Sequence, residues 1–140
     1  MPDTKNPPFD PDFPPAPKGS RQPRTVVLVE DDVDNRESIT EALKAEGFRV
    51  HSLARGDEAL KLLDTPGCPE LILLDLWMSR MGGRELLAAI ALRPDRDRFR
   101  VIVISADHEA GALAARPRVV EVIRKPFALE KLLDVVRRFA

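Results

Sequence analysis

The amino-acid sequence predicts an α/β fold, an open parallel sheet joined by crossover helices, and three observations carry that expectation. Between residues 25 and 140, short apolar runs rich in Val, Ile and Leu alternate with segments whose apolar residues recur at helical spacing. Five such strand-and-helix pairs fill this stretch, the alternation expected of parallel strands connected by helices. The chain of 140 residues, 44% of them apolar, is about the size of one domain with a core of its own.

Each element has a local reason. The first strand, TVVLV at residues 25–29, is β-branched and apolar throughout and reads as fully buried. Asp34 and Glu37 have the spacing of a capping box for the helix that follows, whose core face carries Ile39, Ala42 and Leu43. Gly47 ends that helix and Phe48 packs back beneath it. RVHSLA is a second, more polar strand, and DEALKLLD a second helix stopped by Pro66 and Gly67. ELILLD is the third strand, and Gly82 and Gly83 lead into RELLAAIAL, a third helix closed by Pro94. VIVIS is the fourth strand, followed by a short Ala-rich helix between His108 and Arg116, and VVEVIR is the fifth. The last helix presents Leu129, Leu132, Leu133, Val136 and Phe139 on one face.

Ahead of these elements, residues 1–24 hold eight of the 13 prolines. Repeated Pro fixes φ and removes amide donors, and little apolar surface remains for packing, so this stretch is expected to be a disordered or polyproline-like tail. An inert leader and a spacer or docking segment are both open readings of it. Residues 25–140 form the domain.

Charge and composition restrict the partners. Lys and Arg total 22 against 23 Asp and Glu, a formal charge of -1, so no net field holds the protein on nucleic acid or acidic lipid. The single cysteine, Cys68, excludes an internal disulfide, and no apolar run approaches the roughly 18 residues of a membrane span. The first residues lack the apolar core of a signal peptide, which makes a cytoplasmic protein the expectation. His51 and His108 have no neighbouring histidine and read as surface or strand-flanking residues.

The candidate site comes from what stands at the strand ends, because an open parallel sheet binds its ligands beyond the carboxyl ends of its strands, at a switch point in strand order. The first strand runs into Glu30, Asp31 and Asp32, the third into Asp75, the fourth into Ser105 and the fifth into Lys125. Side by side, these strands bring Glu30, Asp31 and Asp75 together. Such a cluster stays partly protonated unless a cation occupies it. Hard oxygen ligands with little else suit Mg²⁺. A carboxylate is also a nucleophile toward phosphorus, giving an acyl phosphate where positioned cations and donors neutralise the transferred group. Asp32 and Asp34 read as solvated or capping residues rather than metal ligands.

The segments VEDD, LLDLWM, VISA and RKPF, in this order and spacing, resemble the receiver domain of bacterial two-component response regulators, over about residues 25–140. The resemblance implies a flavodoxin-like, doubly wound sheet of five parallel strands in order 2-1-3-4-5 with five helices. It implies that Asp75 is the phospho-acceptor, that Glu30 and Asp31 are the acidic pair for Mg²⁺, and that the backbone carbonyl of Trp77 is a further ligand. Ser105 is then the hydroxyl that turns toward the phosphoryl group, Lys125 is its counter-ion, and the Lys125–Pro126 bond is cis. The implied donor is a sensor histidine kinase or histidine phosphotransfer protein, and the implied output is a downstream protein target. Neither direct nucleic-acid binding, nor membrane binding, nor turnover of external substrates is implied.

Departures from the family pattern are part of the reading. Met78-Ser79 stands where Met-Pro is usual, and Gly82-Gly83 where Asp-Gly is common. Val122 occupies the place of the switch aromatic and has no ring to swing between buried and exposed positions. The segment before the fifth strand is short and contains Pro117, so a reduced or reoriented helix is expected there. Trp77, with Arg80 and Asp107 beside it, is expected at the mouth of the site, where the indole either slows the water that hydrolyses an acyl phosphate or covers apolar surface. Three functions remain in view: a stand-alone receiver, a phosphorylation-independent interaction module on the same scaffold, and an aspartate-nucleophile phosphatase. The phosphatase ordinarily needs a second Asp two residues after the first, where Trp77 stands.

Overall fold

The computed structural model describes residues 24–76, 82–105 and 110–140, the side chains of residues 110 and 111 excepted. Five strands, β1 (Thr25–Val29), β2 (Arg49–Leu53), β3 (Leu71–Asp75), β4 (Arg100–Ser105) and β5 (Val119–Arg124), alternate with five helices. These are α1 (Val33–Ala45), α2 (Gly56–Leu63), α3 (Gly83–Ala91), α4 (Ala110–Ala114) and α5 (Leu129–Phe139). The strands form one parallel sheet in the order β2-β1-β3-β4-β5, the expected doubly wound, flavodoxin-like fold. The order reverses between β1 and β3, which fixes the place of the crevice. The tail expected over residues 1–24 lies, but for Arg24, outside the described residues.

Side-chain alternation along the central strands splits the core into two layers. Val27, Val29, Ile72, Leu74, Val101 and Val103 pack against Ala59 and Leu63 of α2 and Leu86, Leu87 and Ile90 of α3. Val26, Leu28, Leu71, Leu73, Ile102 and Ile104 pack against Ile39 and Leu43 of α1 and Leu132, Leu133, Val135 and Val136 of α5. Each fully buried aliphatic side chain is worth about 1.5–3 kcal/mol relative to exposure, so the three central strands and the helix faces packed on them share the stability. The edge strands β2 and β5 are half-buried, in keeping with their more polar sequences.

Local chemistry sets the helix ends. Asp32, rather than Asp34, caps α1, its carboxylate accepting the Asn35 amide at 2.9 Å. Asp34 lies in the first turn, where a negative charge suits the positive end of the helix dipole. At the other end Gly47 adopts φ 95°, the Gly47 amide donates to the Lys44 carbonyl at 3.0 Å, and the Phe48 amide reaches the Leu43 carbonyl at 3.1 Å. That pair of bonds is the Schellman closure, which requires a left-handed residue at the position of Gly47. Leu129, expected on the core face of α5, is instead 42% exposed, and Val135 takes the buried place. A 3₁₀ turn at Arg96–Arg98, not anticipated from the sequence, precedes β4.

The reduced helix expected before β5 is α4, only five residues long. After it, Arg118 sits at φ 68°. Its guanidinium donates to the Phe99 carbonyl at 3.0 Å and its own carbonyl accepts the Val101 amide at 2.8 Å, which offsets the cost of a left-handed non-glycine residue. Directly beyond, the pairing of β4 with β5 slips by one residue between Val101 and Ile102. At the amino ends of the strands, Arg24 and Ala140 line one cleft of about 440 Å³ together with Leu71 and Arg100.

Candidate functional site

Glu30, Asp75, Ser105 and Lys125 stand at the carboxyl ends of β1, β3, β4 and β5. Asp75 is the last residue of β3 and is 1% exposed; Glu30, immediately after β1, is equally buried. Ser105 ends β4 and is fully buried. Lys125 follows β5, and its Nζ donates to Asp75 Oδ2 at 2.8 Å. The lysine is fixed at its backbone too, where its amide donates to the Ser105 carbonyl at 2.9 Å and the bond to Pro126 is cis. The end of β3 is tied to β4 in the same way, by the Leu76 amide on the Ile104 carbonyl at 3.1 Å.

Glu30 shows what this crowding does. Its carboxyl is pushed up to about 8, first by burial, then by the hydrogen bond with Asp75 and by the negative charge of that neighbour. The Asp32 amide, which donates to Glu30 Oε2 at 3.2 Å, and the positive charge of Lys125 oppose the shift. Two carboxyl groups in hydrogen-bond contact need something positive between them. Burial and the neighbouring Asp75 charge favour the protonated form of the Glu30 carboxyl. The Glu30 carbonyl is also occupied, accepting Arg36 Nη1 at 2.9 Å. No buried side-chain oxygen or nitrogen among the described residues lacks a partner.

The expected third carboxylate, Asp31, is only partly buried, and among the described residues no three His, Cys, Asp or Glu side chains are gathered closely enough to hold a metal. The structure thus brings together Glu30, Asp75 and Lys125, with Ser105 on the adjacent strand end, and leaves Asp31 beside them on the loop. The donor set still suits a hard divalent ion: it is all oxygen, and a cation would offset the repulsion between Glu30 and Asp75. Trp77, Arg80 and Asp107 lie outside the described residues. Val122 is half-buried on β5 and packs against the core layer shared with α2 and α3.

Beside Glu30 and Lys125 opens a cleft of about 590 Å³ walled by Asn35, Ser38, Ile39, Pro126, Phe127 and Leu129. Strand-end reasoning missed this wall. Helical periodicity places Leu129 on the core face, but it is the first residue of α5, where a side chain need not follow the buried face.

The geometry matches a known family. Residues 26–137 match the model of the response regulator receiver domain. The chain belongs to that family. Among curated relatives, the response regulator MprA of Mycolicibacterium vanbaalenii is 32% identical over 120 residues, covering 82% of this chain and 49% of the relative. The probable chemotaxis protein CheY of Rhizobium etli is 28% identical over 110 residues, 76% of this chain and 84% of the relative. The receiver chain spans about half the length of the first of these. Among solved structures, the chemotaxis protein CheY4 of Vibrio cholerae superposes with a TM-score of 0.73 at 23% identity, over 84% of this chain and 99% of that one. The response regulator TrrA of Thermotoga maritima, solved with Mg(2+)-BeF, gives 0.72 at 25% identity, over 84% and 99%. A receiver is a signalling domain of two-component systems. No helix among its described residues is long and apolar enough to cross a membrane.

Proposed function

We propose that this receiver accepts a phosphoryl group on Asp75 from a histidine kinase or histidine phosphotransfer protein and passes the signal on through protein contacts, in the cytoplasm. The observation that carries the reading is the buried Asp75 carboxylate held 2.8 Å from Lys125 Nζ, with Glu30 against it, at the switch point of the sheet.

In the transfer, an Asp75 oxygen attacks the phosphorus of a phosphohistidine, the P–O bond forms as the P–N bond breaks, and the electron pair leaves on the imidazole nitrogen. Lys125 balances the charge of the acyl phosphate, and Ser105 supplies a hydroxyl one strand away. Glu30, Asp31 and Asp75 with the Trp77 carbonyl would hold Mg²⁺, whose chemistry is to neutralise the transferred oxygens. Glu30 would serve as a ligand in its ionised form. The cleft walled by Ile39, Phe127 and Leu129 offers the donor protein an apolar approach to Lys125.

A small acyl phosphate with Mg²⁺ is expected to add one phosphoryl group, read by intact mass, and Asp75→Ala to abolish it; modification persisting in that variant rejects the assignment. Trp77→Asn is expected to shorten the lifetime of the acyl phosphate. The half-buried Val122, packed on the core with no ring to move, supports a second reading, an interaction module indifferent to phosphorylation. Equal affinity for a partner with and without a beryllofluoride phosphate mimic would favour that module, and a difference removes it.

A further inference from the structure

We infer that Gly83 is a positioning residue for Asp75: by carrying no side chain it lets the start of α3 rest on the end of β3, which fixes where the acceptor backbone lies. The inference builds on the reading of Asp75 as acceptor. A Cβ added at Gly83 would stand 2.5 Å from Leu76 Cδ2, 2.8 Å from Leu76 Cα and 3.1 Å from the Asp75 carbonyl oxygen. The leucine methyl can swing away by changing rotamer. The Leu76 Cα and the Asp75 carbonyl cannot, because they are the acceptor's own main chain.

Neither neighbour has slack to yield. Asp75 is registered against Ile104 and the Leu76 amide is bonded to the Ile104 carbonyl, so the end of β3 is held from the β4 side. On the other side α3 is anchored by Leu86, Leu87 and Ile90, all at most 2% exposed. A side chain at position 83 therefore moves one of two fixed bodies, and a shift at the Asp75 main chain is carried to its carboxylate and to the 2.8 Å contact with Lys125. The requirement is for space. The positive-φ glycines among the described residues are Gly47 and Gly67, so Gly83 is not there for its backbone freedom. Adjacent Gly82 makes the contrast: a Cβ there meets only Glu85 Oε1, at an ordinary 3.8 Å. Two consecutive glycines thus differ in kind, the first replaceable and the second not.

The test uses the full chain and a small acyl phosphate at saturating concentration with Mg²⁺, rates being divided by the folded fraction measured by circular dichroism. Gly83→Ala is expected to lower the rate of Asp75 modification at least about ten-fold, since misplacement by about 1 Å costs on the order of 10²-fold. Gly82→Ala is expected to stay within about two-fold of the parent, and the half-saturating donor concentration to be unchanged in both. Adding Leu76→Ala to Gly83→Ala clears the methyl but not the main chain, so no rescue is expected. Ile90→Val, which weakens the same helix remotely, controls for stability, and trimethylamine oxide keeps a weakly folded variant native. The inference is overturned by a parental rate in Gly83→Ala, by rescue through Leu76→Ala, or by an equal loss in Ile90→Val. If the parent takes up no phosphoryl group, or Asp75→Ala still does, it is the acceptor assignment that fails.

Discussion

Replacing Lys125 with Met keeps the aliphatic stem and removes the charge that faces Asp75. Asp75 is 1% exposed while the lysine side chain keeps 25% of its surface in water, so the pair lies between a buried and a surface salt bridge. Breaking a buried pair costs about 3–5 kcal/mol and a surface pair about 0–1 kcal/mol. Because Glu30 keeps a proton to share with the stranded carboxylate, the expected loss for Lys125→Met is about 2–3 kcal/mol near pH 6. The assay is urea unfolding in a chelator, in parent, Lys125→Met, Asp75→Asn and the double variant. Asp75→Asn removes the charge that needs a partner, so in that background the lysine change should cost under about 1 kcal/mol, a coupling of about 2 kcal/mol. A loss below about 0.5 kcal/mol, or the same loss in both backgrounds, refutes the claim that Asp75 depends on this ammonium.

Three further outcomes follow from the same geometry. With its carboxyl raised from 4.5 to about 8, Glu30 keeps in the folded chain a proton that the unfolded chain releases, so metal-free stability should fall as pH climbs from about 5 to 8 and then level. The slope lost in Glu30→Gln, followed by urea midpoints, isolates the glutamate; identical slopes would disprove it. Asp32→Ala removes the cap on the Asn35 amide and should cost about 1 kcal/mol by thermal unfolding, whereas Asp34→Ala should cost less than half of that. Gly47→Ala meets nothing within 4 Å and should lose only the backbone penalty of a left-handed residue, about 1–2 kcal/mol. A larger loss there would indicate a steric contact that the structure does not have.

The central strands were legible because β1, β3 and β4 are buried on both faces and therefore read as unbroken apolar runs. Two of their ends were legible for the same reason, since a charge that closes such a run is conspicuous, as Glu30 does after β1 and Asp75 does in β3. What escaped depends on angles that residue types do not record. Asp32 and Asp34 are both good caps, and only the path of the chain out of β1 decides between them. Glu30 and Asp31 are equal as ligands on paper, and burial is what tells them apart: Glu30 is buried against Asp75 while Asp31 is partly buried. Helical periodicity assigned Leu129 to the core because a repeat has no knowledge of where its first turn meets other elements. The wall of the cleft beside Lys125 draws on α1 and on the connection before α5, and no local pattern announces that two distant segments share a surface.

Arg24 and Ala140 border one cleft at the amino ends of the strands, the end of the sheet opposite to Asp75. An insertion carrying residues 24–140 into a surface loop of a host protein would thus enter and leave at neighbouring points, as tolerated insertions do. The host would lie at the amino ends of the strands, and its bulk would leave the approach to Lys125 open.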